Sequence, residues 1–177
     1  MMRSIPLKLS PKLKKRLKRI QLLLLDVDGV LTDGKIWLGS NGLEFKAFDT
    51  KDGHGIKMAQ EAGIRVGWIS ARNSQVVELR AKELGVSLIF QGEKNKLIAY
   101  HKILSQLKLT HAEVAYIGDD LLDIPLMEKV GVSVAIADAV AAVRREADWR
   151  TQFPGGRGGV REFIDLLLKV RHETNCP

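Results

Sequence analysis

Leu22-Leu23-Leu24-Leu25-Asp26-Val27-Asp28-Gly29-Val30-Leu31-Thr32-Asp33-Gly34 is the stretch that decides the fold. Four consecutive leucines predict a strand buried on both faces, the pattern of a parallel sheet. Two carboxylates follow at once, and Gly29 allows a sharp turn where the strand ends. A buried strand that ends in charge places that charge at the carboxyl edge of the sheet, where open α/β folds bind ligands. Asp26 and Asp28 would repel each other there unless a cation or a shared proton intervened.

Outward from that strand, the chain alternates helical and extended patterns, the sign of βαβ units. Helices are predicted over 56–62, 74–84, 96–107, 124–130, 140–147 and 160–170, and strands over 64–69, 87–90, 114–117 and 133–136. Between Gly34 and the first of these helices, two short extended runs, 35–38 and 44–48, flank Gly39-Ser40-Asn41-Gly42 and predict a β-hairpin. A two-stranded ribbon showing Trp37, Phe45 and Phe48 is not stable alone and must pack on its own domain or on another subunit. Residues 153–159, rich in glycine, are expected to form a mobile loop. The fold class is therefore α/β: a Rossmann-like parallel sheet with helices on both faces and a small hairpin.

The 177 residues suit one domain with a sizeable core. The net charge of +7 is uneven. Residues 1–19 hold eight Lys or Arg and no acid, which leaves 20 basic against 21 acidic residues in the remainder. We divide the chain into a basic N-terminal tail or helix, 1–20, and a single domain, 21–177. Ser10-Pro11 reads as a cap and first helical position, followed by Leu13, Leu17 and Ile20 at helical spacing. The tail lacks aromatic residues to stack on bases, so nucleic acid is not the expected partner. The lone cysteine, Cys176, excludes an internal disulfide and fits a reducing compartment. No apolar run approaches the roughly 18 residues of a membrane span, and the basic start lacks an apolar segment of a signal peptide. Cytoplasm is the expected location.

The Asp26-x-Asp28-Gly29 run resembles the signature of the haloacid-dehalogenase superfamily of phosphohydrolases. The longer form through Thr32-Asp33-Gly34 resembles one branch of it, the 3-deoxy-D-manno-octulosonate 8-phosphate phosphatases, and the resemblance extends from Leu22 to Val170. It implies a Mg²⁺-dependent phosphomonoester hydrolase that works through an aspartyl-phosphate and releases phosphate from 3-deoxy-D-manno-octulosonate 8-phosphate in lipopolysaccharide precursor synthesis. The alternatives are a nine-carbon, sialic-acid-type sugar phosphate as substrate, a catalytically silent tetramerising domain, or a basic-tailed nucleic-acid binder.

By that resemblance Asp26 is the nucleophile and Asp28 the general acid and base. Ser70 holds a phosphate oxygen and Lys96 neutralises the phosphate and Asp26. Lys94 competes with Lys96, which is preferred because the family's lysine follows Asn at a helix start. This branch usually carries Thr-Gly-Arg where this chain reads Ser70-Ala71-Arg72; serine keeps the hydroxyl. Carboxylates beside a dianionic phosphate need a hard divalent cation: at an effective dielectric of about 20, each like-charge pair about 4 Å apart costs about 4 kcal/mol. Mg²⁺ is assigned to Asp26, the Asp28 carbonyl and Asp119. Asp120 and Asp123 stay open as further metal ligands, and Asp123 could equally support the site or cap the following helix. Candidate substrate contacts are Asp28, the loop Asp49-Thr50-Lys51-Asp52-Gly53, Lys57, Arg72, Arg80, Lys96 and Arg157.

Only 41 residues separate Asp28 from Ser70, and 25 separate Ser70 from Lys96. Neither interval has room for a cap domain, so the small hairpin stands in its place. Capless members of this branch assemble as tetramers through the hairpin. The expected assembly is therefore a homotetramer through 35–48, with Arg157 reaching a neighbour's phosphate.

Overall fold

The computed structural model describes residues 9–173; Cys176 and part of the basic tail lie outside them. Helix α1 (Pro11–Leu17) is capped by Ser10, whose Oγ accepts the Leu13 N–H at 3.2 Å. The leucines of β1 (Leu22–Leu25) are all buried, as a strand covered on both faces requires. Then come the hairpin strands β2 (Trp37–Leu38) and β3 (Glu44–Phe45), α2 (Thr50–Glu61), β4 (Arg65–Ile69), α3 (Gln75–Leu84), β5 (Leu88–Phe90) and α4 (Lys96–Leu107). The chain closes with β6 (Val114–Gly118), α5 (Ile124–Met127), β7 (Val132–Ala135), α6 (Ala141–Glu146), β8 (Trp149–Arg150) and α7 (Gly159–His172).

Six strands form one parallel sheet in the order β5-β4-β1-β6-β7-β8. Alternate leucines of β1 serve opposite faces. Leu23 and Leu25 pack with residues of α1, α2, α3 and α7, while Leu22 and Leu24 pack with those of α4, α5 and α6. Chain order reverses direction at β1, which lies between β4 and β6, so the ligand crevice of such a sheet belongs at its carboxyl end. The register aligns Leu25 with Trp68 on β4 and with Ile117 on β6. The residues just beyond, Asp26, Ser70 and Asp119, therefore emerge together.

Three expectations need correction. Helix α2 begins at Thr50, not 56, with Asp49 as its cap, so the stretch expected to be a polar loop is helical. Gly53 and Gly55 disfavour helix locally, but there Arg80 and Arg161 lie where side chains would stand, and close packing decides. Strand β8 was not foreseen; two residues between α6 and a loop carry no periodicity. The glycine loop is pinned rather than mobile: the Gly156 N–H donates to Val30 O at 3.0 Å and the Gly155 N–H to Asp138 Oδ1 at 3.0 Å. The helix read from Ser10-Pro11 is present and lies on the domain: Leu13, Leu17 and Ile20 join the core, and Arg16 forms a bidentate pair with Asp148 at 2.5 and 2.6 Å.

Candidate active site

Beyond β1 the chain turns back on itself. The Leu31 and Thr32 N–H groups both donate to Val27 O, and buried Thr32 Oγ1 accepts the Gly34 N–H at 3.2 Å. This closure accounts for the Thr32-Asp33-Gly34 part of the motif. Gly29 has φ of +104°, and a Cβ there would stand 2.1 Å from Asp119 Oδ2, so glycine is required twice over.

Asp26, Asp28, Ser70, Arg72, Lys96, Asp119, Asp120 and Asp123 line one cavity of about 220 Å³. Lys96, at the first position of α4 behind its cap Asn95, is buried, and its Nζ lies 2.5 Å from Asp26 Oδ1, 2.5 Å from Asp123 Oδ1 and 3.0 Å from Tyr116 Oη. Lys94 is exposed and lines the neighbouring groove instead. Burial disfavours the Lys96 ammonium, but Asp26 and Asp123 more than offset it and raise its pKa. Ser70 Oγ accepts the Arg72 N–H at 3.1 Å, which leaves its own hydroxyl proton free to donate.

Asp123 answers the question its spacing left open. Its Oδ1 accepts from Lys96 and Tyr116, and its Oδ2 from the Asp119 and Asp120 N–H groups at 2.8 and 3.1 Å. With four donors its acceptor capacity is used, so it holds Lys96 and the Asp119 loop in place.

The close carboxylate pair is Asp26 with Asp119, not Asp26 with Asp28. Asp26, Asp119 and Asp123 each offer an oxygen within 4.8 Å of the others. Burial pushes the Asp119 carboxyl up to about 8, with the charges of Asp26 and Asp123 adding to it. Burial raises Asp26 to about 6 against the opposing pull of Lys96. A buried and a half-buried acid held up in this way, with oxygen donors only, fit a hard divalent cation such as Mg²⁺. Asp28 is neutralised differently: Lys46, whose side chain is fully buried, pairs with Asp28 Oδ1 and lies 3.6 Å from Glu44. Sequence reasoning passed over Lys46, Tyr116 and Glu44. The signal for Lys46 was the hairpin's alternation, in which Phe45 stands outside and Glu44 and Lys46 face inward.

Several candidate substrate contacts lie elsewhere. Asp49 caps α2, accepting the Lys51 N–H at 2.6 Å. Asp52 is buried and accepts the Arg161 N–H at 2.7 Å and the Gly158 N–H at 3.2 Å, so it serves the start of α7. Gly53 lies under Arg80, and Lys57 Nζ is beside Gly85, which lines a groove with Gly63 and Arg65 at the opposite edge of the sheet. Thr50 and Arg80 share a separate groove with Phe48. Arg157 is exposed on its loop, within electrostatic reach of Asp33.

Comparison with known proteins agrees with this geometry. The family model of haloacid dehalogenase-like hydrolases matches residues 86–164. The 3-deoxy-D-manno-octulosonate 8-phosphate phosphatase of Salmonella typhimurium is 50% identical over 159 residues, covering 90% of this chain and 85% of that protein. The crystal structure of the phosphatase of the same name from Yersinia pestis superposes with a TM-score of 0.90 at 43% identity, covering 93% of this chain and 89% of that one. The one from Moraxella catarrhalis, in complex with a magnesium ion, a phosphate ion and a KDO molecule, gives 0.89 at 37% identity over 93% and 94% of the two chains. An identity of one residue in two, carried over most of both sequences and matched by the backbone, makes this chain a member of the 3-deoxy-D-manno-octulosonate 8-phosphate phosphatase family, among the haloacid dehalogenase-like hydrolases.

Proposed function

We propose that the protein hydrolyses 3-deoxy-D-manno-octulosonate 8-phosphate to 3-deoxy-D-manno-octulosonate and phosphate, in lipopolysaccharide precursor synthesis. The observation that carries the chemistry is the convergence of Asp26, Lys96 and Asp119 at adjoining strand ends. The substrate rests on kinship with phosphatases bearing that name.

Lys96 fixes the rotation of Asp26 by holding Oδ1, and its charge offsets the repulsion between the Asp26 carboxylate and the phosphate. Asp26 attacks phosphorus, and the bond to the sugar oxygen breaks as the Asp26–phosphorus bond forms. Asp28 donates its proton to the departing sugar oxygen. It then takes a proton from the water that attacks the aspartyl-phosphate, which returns Asp26 and releases phosphate. The Ser70 hydroxyl donates to a phosphate oxygen, and Arg72 lies over the same cavity. Mg²⁺, held by Asp26, the Asp28 carbonyl and Asp119, would neutralise and align the phosphate.

The basic helix belongs with residues 21–177 in one unit, and the working assembly is a homotetramer formed through the 35–48 hairpin. Among the described residues no helix is long and apolar enough to cross a membrane. Cytoplasm remains the proposed compartment.

The test is phosphate release from a panel of sugar-acid and hexose phosphates, with and without EDTA. Release should be fastest on the eight-carbon acid, and be lost with chelation and in Asp26→Asn. Hydrolysis indifferent to EDTA contradicts the metal assignment, and equal rates on hexose phosphates contradict the substrate.

A further inference from the structure

Lys46 follows β3 directly and alternates with its neighbours. The Phe45 ring is exposed, whereas the side chains of Glu44 and Lys46 turn inward, 15% and 0% exposed. The Lys46 ammonium pairs with Asp28 Oδ1 and lies 3.6 Å from Glu44. The other Asp28 oxygen, Oδ2, is buried and has no hydrogen-bond partner. Arg72 Nε, from a half-exposed side chain, stands 4.0 Å from it, too far for a hydrogen bond. Asp28 also lines the reaction cavity. One oxygen of this carboxyl is thus tied down and the other is held open. A buried lysine with two carboxylate partners is a costly arrangement that a surface hairpin does not need for its own folding.

We infer that Lys46 is a positioning residue for Asp28: it binds Oδ1, fixes the rotation of the carboxyl and leaves Oδ2 as the oxygen that exchanges the proton with the departing sugar oxygen. Glu44, 3.6 Å from the ammonium, gives it a second carboxylate partner. The hairpin is thereby part of the acid–base apparatus and not only an assembly surface. This inference rests on the role given to Asp28 under the proposed function.

Proton donation matters only where the leaving oxygen needs a proton. An alkyl phosphate needs it, and an aryl phosphate such as p-nitrophenyl phosphate, whose phenolate leaves unaided, does not. The experiment compares the first-turnover rate of Asp26 phosphorylation on an alkyl sugar-acid phosphate and on p-nitrophenyl phosphate for wild type, Lys46→Met, Lys46→Gln and Asp28→Asn, each with Mg²⁺. Lys46→Met should slow the alkyl reaction about tenfold or more, a share of the 10²–10⁴ that general acid catalysis supplies, and the aryl reaction less than about threefold. Its KM should be unchanged, and Asp28→Asn should show the same selectivity more strongly. Equal losses on both substrates, or none, overturn the inference. Should Lys46→Met fail to fold, Lys46→Gln carries the test, with a smaller loss in the same direction expected and a wild-type alkyl-to-aryl ratio overturning it. A wild-type protein inert on every phosphomonoester would instead overturn the proposed function.

Discussion

Lys96 is held by two carboxylates and a phenol, all buried. Its removal leaves Asp26 and Asp123 without their cation, and breaking such a buried set costs about 3–5 kcal/mol. Lys96→Met should therefore lower the melting temperature as well as abolish turnover; full stability with lost turnover would show that the lysine serves catalysis alone. Asp26 and Asp119 make a second case. Burial raises both, to about 6 and about 8, above the ordinary aspartate value of about 3.9. A carboxyl with a raised folded pKa adds stability that is fully present below its unfolded pKa and is lost as pH rises through the folded one. In EDTA the protein should become less heat-stable from about pH 4 to about pH 8. Mg²⁺ competes with the same protons, so its affinity should climb over that window, by up to about tenfold per pH unit for each proton displaced. Calorimetric titration in buffers of different ionisation enthalpy reads the protons directly, and Mg²⁺ binding that releases none contradicts the arrangement. Asp26, Asp28 and Asp119 were legible from spacing because strand ends in a parallel sheet converge. Lys46 was not, since a lone lysine after a two-residue strand announces its partner only once the hairpin has folded back.

The elements divide in the same way. Strand β1 and helices α3, α4 and α7 were legible because long apolar periodicity leaves one solution. The early start of α2 was hidden by Gly53 and Gly55, which lower helix propensity but allow α7 and Arg80 to approach. The same packing explains why Asp52 is spent on structure. From the first turn of α2 it satisfies two backbone N–H groups at the start of α7 and holds the loop that lies on Gly29 and Thr32. Asp52→Ala strands those donors in a buried place, at a cost of about 1–3 kcal/mol. The expected reading is a lower urea midpoint at an unchanged slope. A midpoint equal to wild type would mean that water satisfies the donors and that the Asp52 contacts do not stabilise the fold.

At the scale of the whole molecule, the outer face of the hairpin remains to be explained. Trp37, Leu38, Leu43 and Phe45 are 66%, 74%, 54% and 58% exposed, a cluster too apolar to face water on so small a ribbon. Glu44 and Lys46 of the same hairpin reach Arg72 and Asp28, which line the reaction cavity, so a neighbouring chain that covered these apolar residues would also stand beside the site. Trp37→Asp with Phe45→Asp should reduce the sedimenting mass from four chains to one while β1 and its helices stay folded. A double variant that still sediments as four chains places the interface elsewhere. Arg157 tests that neighbour's part in the site more sharply, because it is exposed on a loop whose backbone is pinned, and so presents its charge outward from a fixed point. Arg157→Ala should raise KM or lower turnover, and Asp26→Asn should be inert. If Arg157 serves the neighbour's site, mixing the two variants by reversible dissociation creates sites with an intact Asp26 and an intact Arg157 on different chains, and activity should return. If Arg157 serves its own site, no mixture contains a complete one, and the mixed tetramers should be no more active than the Arg157→Ala protein they contain.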